Sequence, residues 1–154
     1  MIRSLDDILR HAPLYARLAL GVTFLSAVSD RFGVWGPPGT RNVAWGDFDH
    51  FLAYAAVLNP YLPAGVIPAL GWVVTAAETV LGVALIVGFR TRLVALSSGL
   101  LLLAFALGMT IGVGIKSPLD YSVFSASAAA FVLALLHPRV GGRAPEDQLR
   151  SLKD

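Results

Sequence analysis

The segment WVVTAAETVLGVALIVGFRTR, from Trp72 to Arg92, decides the fold, because it places a carboxylate inside a run long enough to cross a bilayer. That carboxylate belongs to Glu78, in the apolar part of the run. A charged side chain at the centre of a membrane helix costs about 2.5–3.5 kcal/mol on insertion scales. We therefore expect neighbouring protein groups to enclose and stabilise Glu78.

Helical spacing divides this segment into two faces. One face is polar or small and contains Thr75, Glu78, Thr79 and Gly82. The opposite face is apolar and contains Val73, Ala77, Val80, Ala84 and Val87. The pattern predicts that the polar face contacts protein and the valine face contacts lipid, so the chain should be a helical bundle around Glu78.

Composition supports a membrane protein and excludes several kinds of chemistry. Of the 154 residues, 56% are hydrophobic and 14% are charged, and the mean hydropathy is +0.69, which is too apolar for an ordinary soluble domain. The chain has no cysteine, which excludes thiol, disulfide and iron–sulfur chemistry. The three histidines, His11, His50 and His137, lie at or beyond the predicted membrane borders, and no metal-ligand spacing is present, so we predict no haem or metal site within the chain.

The hydropathy pattern predicts an all-α membrane protein, a four-transmembrane-helix antiparallel bundle with a short extracytoplasmic interfacial helix. The predicted spans are residues 14–32, 66–89, 93–115 and 119–136. They form a single membrane domain, residues 1–138, which is followed by a cytoplasmic tail, residues 139–154. A cleaved signal peptide ending near Ala27-x-Ser29 is the alternative for the first span.

Three local patterns refine this outline. Residues 2–12 are predicted to form either an amphipathic surface helix or a partly frayed terminus. In the aromatic loop of residues 33–63, the stretch from Asp47 to Asn59 predicts a short capped helix that covers the bundle as a lid. The fourth span is expected to begin with a Ser117 cap, with Asp120 at its third position.

The positive charges predict an orientation, not nucleic-acid binding. Most of the 12 Lys and Arg side chains lie on the side of the termini, which places both termini in the cytoplasm of a bacterial inner membrane. The third span carries small residues four apart, Ala104, Gly108 and Gly112. This seam indicates close helix contact, either within one chain or in a homodimer.

Two polar clusters are candidates for a site. Counted from the inner ends of their spans, Arg17 lies about one turn in and Glu78 near mid-bilayer, so the arginine could reach the glutamate. The pair is either structural, as an ion pair or with a protonated Glu78 hydrogen-bonded to Thr75, Thr79 or a neighbouring helix, or it forms a pocket that binds a head group or passes a proton. The second cluster serves either as caps and interface anchors or as the mouth of that pocket, and it comprises Asp30, Arg31, Lys116, Asp120, Tyr121, Trp45 and His50.

The order of these landmarks resembles the DoxX family over about residues 14–136. The motifs that carry the resemblance are Arg17-Leu-Ala-Leu-Gly21 before Phe24-Leu25, Glu78 before Leu81-Gly82, and Gly88-Phe89-Arg90-Thr91-Arg92. The resemblance implies a small four-span bacterial inner-membrane protein, similar to a thiosulfate:quinone oxidoreductase subunit. It also implies that Arg17 and Glu78 are the family's intramembrane charges.

The sequence thus predicts a quinone-interacting or redox-associated membrane subunit with Glu78 and Arg17 as catalytic candidates. The ligand-binding candidates are Thr75, Thr79, Asp30, Asp120, Tyr121 and Trp45. Quinone is the expected cofactor, and membrane lipid and a soluble redox enzyme on the cytoplasmic side are the expected partners. The alternatives are a non-catalytic scaffold that docks a soluble enzyme through Arg90 and Arg92, or a small lipid or solute carrier.

Overall fold

A computed structural model describes residues 2–136, with side chains from residue 11 onward. Regular structure in this range is helical, and it contains no strand. The α-helices are α1 (Ile2–Arg31), α2 (Phe48–Leu58), α3 (Ile67–Val87), α4 (Thr91–Val113), α5 (Lys116–Asp120) and α6 (Val123–Leu136). The predicted tail, residues 139–154, and His137 lie outside the described residues.

Three helical stretches are long and apolar enough to cross a membrane. They are His11–Arg31, Ala64–Val87 and Thr91–Val113, and the second of them starts with a short 3-10 turn that leads into α3. These stretches agree within a few residues with the first three predicted spans. The prediction that residues 2–12 form a separate surface helix was wrong, because α1 is one continuous helix that passes through Pro13.

The fourth predicted span is interrupted. The predicted Ser117 cap was wrong, since α5 begins at Lys116 and has no side-chain cap. Ser122 then adopts a left-handed φ of 56°, a conformation that is uncommon outside glycine and redirects the chain. The following helix, α6, is described over 14 residues, or about 21 Å, against a hydrocarbon core of roughly 30 Å. The four-span antiparallel bundle therefore stays a prediction.

Helices α1 and α3 pack against each other in opposite directions. A Cβ atom on Gly21 would lie 2.9 Å from the backbone oxygen of Gly82, so only glycine permits this approach. Around this contact, α1, α3, α4 and α6 share a core of Leu20, Phe24, Leu85, Ala95, Leu102, Ala130, Leu133 and Ala134. The predicted faces of α3 are confirmed, because Thr75 and Glu78 are buried whereas the valine face is exposed.

Helix α2 confirms that a short helix capped by Asp47 lies between Asp47 and Asn59, and we call it the lid. Asp47 caps it by accepting a hydrogen bond of 2.8 Å from the backbone N–H of His50, and the helix ends one residue before Asn59. Its last turn lies against α4, where a Cβ atom on Gly112 would collide with the backbone of Val57. The small-residue seam of α4 therefore contacts the lid within the same chain.

Candidate functional site

Glu78 lies on the buried face of α3 and pairs with Arg31, the last residue of α1. The distance between Arg31 Nη2 and Glu78 Oε2 is 2.5 Å, and the side chains are only 2% and 4% exposed. Neither Glu78 Oε2 nor Arg31 Nε has a hydrogen-bond partner with acceptable geometry among the described residues. The contact is therefore a buried ion pair.

Thr75 fixes the guanidinium from the side. Arg31 Nη1 donates a hydrogen bond of 2.8 Å to Thr75 Oγ1, and that hydroxyl donates to the carbonyl of Gly71, also at 2.8 Å. Since Thr75 precedes Glu78 by one helical turn, one face of α3 supplies both groups that bind Arg31. The threonine thus orients the arginine and keeps its charge beside the carboxylate.

Aromatic rings enclose the other side of the guanidinium. Its carbon lies 3.8 Å from the ring centroid of Phe51 in the lid and 5.4 Å from that of Trp45 in the preceding loop. Both distances are within cation–π range. The lid is therefore linked directly to the ion pair, and a displacement of α2 would expose Arg31 to its surroundings.

Asp30 holds the loop that carries Trp45. Its Oδ2 atom accepts hydrogen bonds from the backbone N–H groups of Ala44, at 3.0 Å, and Trp45, at 2.9 Å. Its Oδ1 atom is buried and has no hydrogen-bond partner within the part of the chain that the structure describes. Asp30 therefore positions the aromatic wall, and it places a second carboxylate next to Arg31.

The ion pair borders a cavity of about 710 Å³ beneath the lid. This volume lies within the range of about 300–1,000 Å³ that is typical of small-molecule sites. Most of the wall is apolar or aromatic, with contributions from Phe24, Trp45, Phe51, Tyr54, Leu102 and Phe105. Arg31 and Glu78 also line it, so the cavity combines one charged end with an apolar body.

The predicted partnership between Arg17 and Glu78 was wrong. Arg17 Nε donates to the carbonyl of Leu85 at 2.9 Å, and its Nη2 donates to that of Ile86 at 3.1 Å. These carbonyls belong to the last turn of α3, where no following helical N–H group is available to donate to them. The end of a helix at which carbonyls are exposed also stabilises a positive charge. Arg17 is 14 residues, or about 21 Å of helix, from Arg31, so it lies at the opposite end of the α1–α3 contact.

The remaining predicted site residues have different positions. Trp45 and Tyr121 line the cavity with the ion pair. Thr79 donates to the carbonyl of Thr75, within α3. Asp120 forms an exposed ion pair with Lys116 and is not among the residues that line the cavity, although its neighbour Tyr121 is.

Sequence reasoning placed Arg31 only at the membrane border and did not connect it with Glu78. The signal that would have found the pair is the register of α1 and α3. In this register Gly21 of α1 lies opposite Gly82 of α3. Arg31 then lies beside Thr75 and Glu78, and Arg17 lies at the far end of α3. Phe51 and Tyr54 were predicted as part of the aromatic loop, but their place in the cavity wall depends on how the lid folds back.

Comparison with known proteins identifies one family. The family model described as methylamine utilisation protein MauE matches residues 9–121, which include most of α1 and all of α2–α5. No curated protein and no solved structure matches the chain. The resemblance to the DoxX family was therefore wrong.

Proposed function

Because the chain belongs to the MauE family of methylamine utilisation proteins, we propose that it is a membrane accessory protein of that process. In this proposal the cavity beside Arg31 and Glu78 holds a lipophilic molecule with a polar head group. A quinone or its reduced form is the redox-active class that fits such a cavity. The chain would act in a bacterial inner membrane, with both termini in the cytoplasm, and would serve a soluble redox enzyme rather than catalyse amine oxidation itself.

The observation that supports this proposal most strongly is the position of the ion pair on the wall of the cavity. A purely structural ion pair in a membrane protein is expected to be surrounded by tight packing, because each unpaired polar atom in an apolar interior is costly. Here the pair faces a space of about 710 Å³ that is otherwise mostly apolar. The cavity has one charged end and an apolar body, so it fits a long molecule that has one polar end.

The residues around the cavity have distinct roles in this proposal. Glu78 and Arg31 bind the polar head, and Thr75 keeps Arg31 in place. Phe51 and Trp45 shield the pair and provide flat surfaces against which an aromatic head can stack. Helix α2 closes the cavity on the side of the loop that carries Trp45, so displacement of α2 would admit or release the ligand.

The experiment is to purify the protein in native lipid nanodiscs and identify the lipophilic molecules that co-purify by mass spectrometry. The same gene is tested for its ability to restore methylamine-dependent growth to a strain that lacks it. We expect a specific lipophile at stoichiometric amounts, its loss in Glu78→Leu and Arg31→Met, and failure of both variants to restore growth. Lys116→Gln is the control, because that exposed lysine pairs only with Asp120 among the described residues.

Two outcomes would overturn this function. One is a preparation that contains only bulk lipid, in wild-type and variant proteins alike. The other is full growth of the strain that carries folded Glu78→Leu protein. In either case the cavity would have no part in methylamine utilisation.

An alternative is that the chain is a scaffold for the soluble enzyme, and the turn between α3 and α4 favours it. Arg90 has a left-handed φ of 39° at this turn and remains exposed, where a docking enzyme could reach it. A scaffold predicts that Arg90→Gln combined with Arg92→Gln abolishes co-purification of the partner. It also predicts that Glu78→Gln retains co-purification and only lowers stability.

A further inference from the structure

A second space lies beside α1, next to the cavity, and we call it the groove. It has a volume of about 460 Å³ and lies between α1 and the loop that carries Trp45. Its lining includes Val22, Ser26 and Ala27 from α1, and Trp35, Asn42 and Ala44 from the loop. The groove and the cavity share four lining residues, Thr23, Ala27, Ala44 and Trp45. These four residues therefore form a partition between the two spaces.

Trp45 has by far the largest side chain of the partition. Its ring is half-buried, and the ring centroids of Phe51 and Tyr54 lie 5.3 Å and 6.3 Å from its own. The backbone of Trp45 is held separately, because its N–H donates to Asp30 Oδ2 at 2.9 Å. The ring can therefore rotate about its side-chain bonds while the loop keeps its position.

The groove lies on a side of α1 that faces the bilayer. Val22, which lines the groove, is 58% exposed and belongs to the membrane-span stretch His11–Arg31. Trp35 lies at the other edge, where its Nε1 donates to the carbonyl of Ser26 at 3.1 Å. Tryptophan is enriched at the border between hydrocarbon and head groups, because its ring is apolar and its N–H is polar. A lipophilic molecule in the bilayer therefore meets the groove at the depth of its own head group.

Displacement of α2 would also open the cavity, but it would break more contacts. The backbone of Val57 in α2 packs directly against Gly112 of α4. The ring of Phe48 lies 4.4 Å from that of Trp72 in α3. Movement of the whole helix would disrupt contacts with both α3 and α4, whereas rotation of Trp45 disrupts only the contacts of one ring. Opening through the partition therefore has the lower cost.

We propose that the groove is the portal through which a lipophilic ligand passes from the bilayer into the cavity, and that the Trp45 side chain is its gate. The Trp45 ring also lies 5.4 Å from the guanidinium carbon of Arg31. The movement that opens the portal thus uncovers the charged end of the cavity, and an entering head group reaches the ion pair. This inference rests on the proposed function, because it supplies the route for the molecule that the cavity is proposed to hold.

The test measures access to the cavity with a thiol reagent, since the chain has no native cysteine. Leu102→Cys places one thiol on the cavity wall contributed by α4. Leu100→Cys, at a side chain of the same helix that is 56% exposed, is the matched control for reactivity in the bilayer. The probes are N-dodecylmaleimide, which partitions into the bilayer, and a sulfonated maleimide, which stays in water. Labelling of each protein in nanodiscs of synthetic lipid is followed by mass spectrometry.

We expect N-dodecylmaleimide to label Leu102→Cys, and the sulfonated reagent to label it much more slowly. Adding Trp45→Ala should accelerate the lipophilic reagent roughly tenfold, because the aromatic and cation–π contacts that keep the ring closed together contribute about that factor. Trp45→Phe should give an intermediate rate. Ala27→Phe should slow the labelling by filling the partition, and Ala44→Phe should do the same from the loop if Ala27→Phe does not fold. None of these changes should alter the labelling of Leu100→Cys.

Asp47→Ala distinguishes the portal from the lid, because it removes the cap of α2 and leaves the partition intact. Faster labelling of Leu102→Cys in Asp47→Ala than in Trp45→Ala would overturn the inference in favour of entry beneath the lid. Rates that are the same in every partition variant, or labelling by the sulfonated reagent that is equally fast, would also overturn it. These outcomes leave the proposed function standing, since that function is decided by the lipophile that co-purifies and not by its route.

Discussion

Removal of one partner of the Arg31–Glu78 pair should destabilise the protein strongly. Both side chains are almost fully enclosed, at 2% and 4% exposure, so the surviving charge would be poorly solvated. Breaking a buried pair in this way costs about 3–5 kcal/mol. For a chain of this length 1 kcal/mol changes Tm by roughly 2–4 °C, so Glu78→Leu or Arg31→Met should lower Tm by about 10 °C.

The combination of both substitutions should be less harmful than their separate effects suggest. The double variant replaces two charges with two apolar side chains of similar volume, a change that is often neutral or stabilising. A double-mutant cycle measured by circular dichroism in nanodiscs should therefore show a coupling of at least ~2 kcal/mol. Arg17→Met combined with Glu78→Leu is the matched control, and these effects should add within ~0.5 kcal/mol because the two side chains are far apart.

Two results would refute this reasoning. Additive effects in the Arg31 cycle would mean that the guanidinium and the carboxylate do not stabilise each other. Coupling between Arg17 and Glu78 as strong as that expected for Arg31 would mean that the register of α1 and α3 is different, and the site would need to be rebuilt.

Three further predictions concern the helix contacts around the site. Arg17→Gln should lower stability by ~1–2 kcal/mol, because the last carbonyls of α3 lose a cationic donor, and thermal unfolding should show it. Gly21→Ala should cost ~1–3 kcal/mol by forcing α1 away from α3, whereas Gly65→Ala, where a Cβ atom has no neighbour within 4 Å, should be nearly neutral in the same assay. The His50 N–H holds the pKa of Asp47 below its usual value, so the lid cap should persist at neutral pH and be lost only as the pH falls below about 4. Hydrogen exchange at the start of α2 should accelerate at that acidic pH, and at neutral pH in Asp47→Ala but not in Asp47→Asn, which also caps helices.

The sequence predicted those parts of the fold that depend on local pattern. The buried face of α3 around Thr75 and Glu78 follows from helical spacing and the cost of exposing a charge to lipid. The lid helix follows from an Asp cap, an apolar run and a proline after its end. In each case the physical cause lies within about one or two dozen consecutive residues.

The partner of Glu78 and the break before α6 could not be found in the same way. Whether Arg17 or Arg31 pairs with Glu78 depends on the register of α1 against α3. The contact between Gly21 and Gly82 fixes this register, and counting residues from the membrane border does not determine it. No proline or glycine at Ser122 indicates a break in the sequence. Pro118 is four residues earlier and is compatible with the start of a helix. The cavity itself depends on the lid folding back over the bundle, a contact between segments that are distant in sequence.

The central claim is that Glu78 and Arg31 form the polar end of a ligand cavity beneath the lid. The most direct measurement is an experimental density map of the protein extracted in native lipid. We expect elongated density in the cavity, with its polar end beside Glu78 and the ring of Phe51 over Arg31. A map in which the Glu78 carboxyl faces the acyl chains, or in which side chains fill the cavity completely, would contradict the claim.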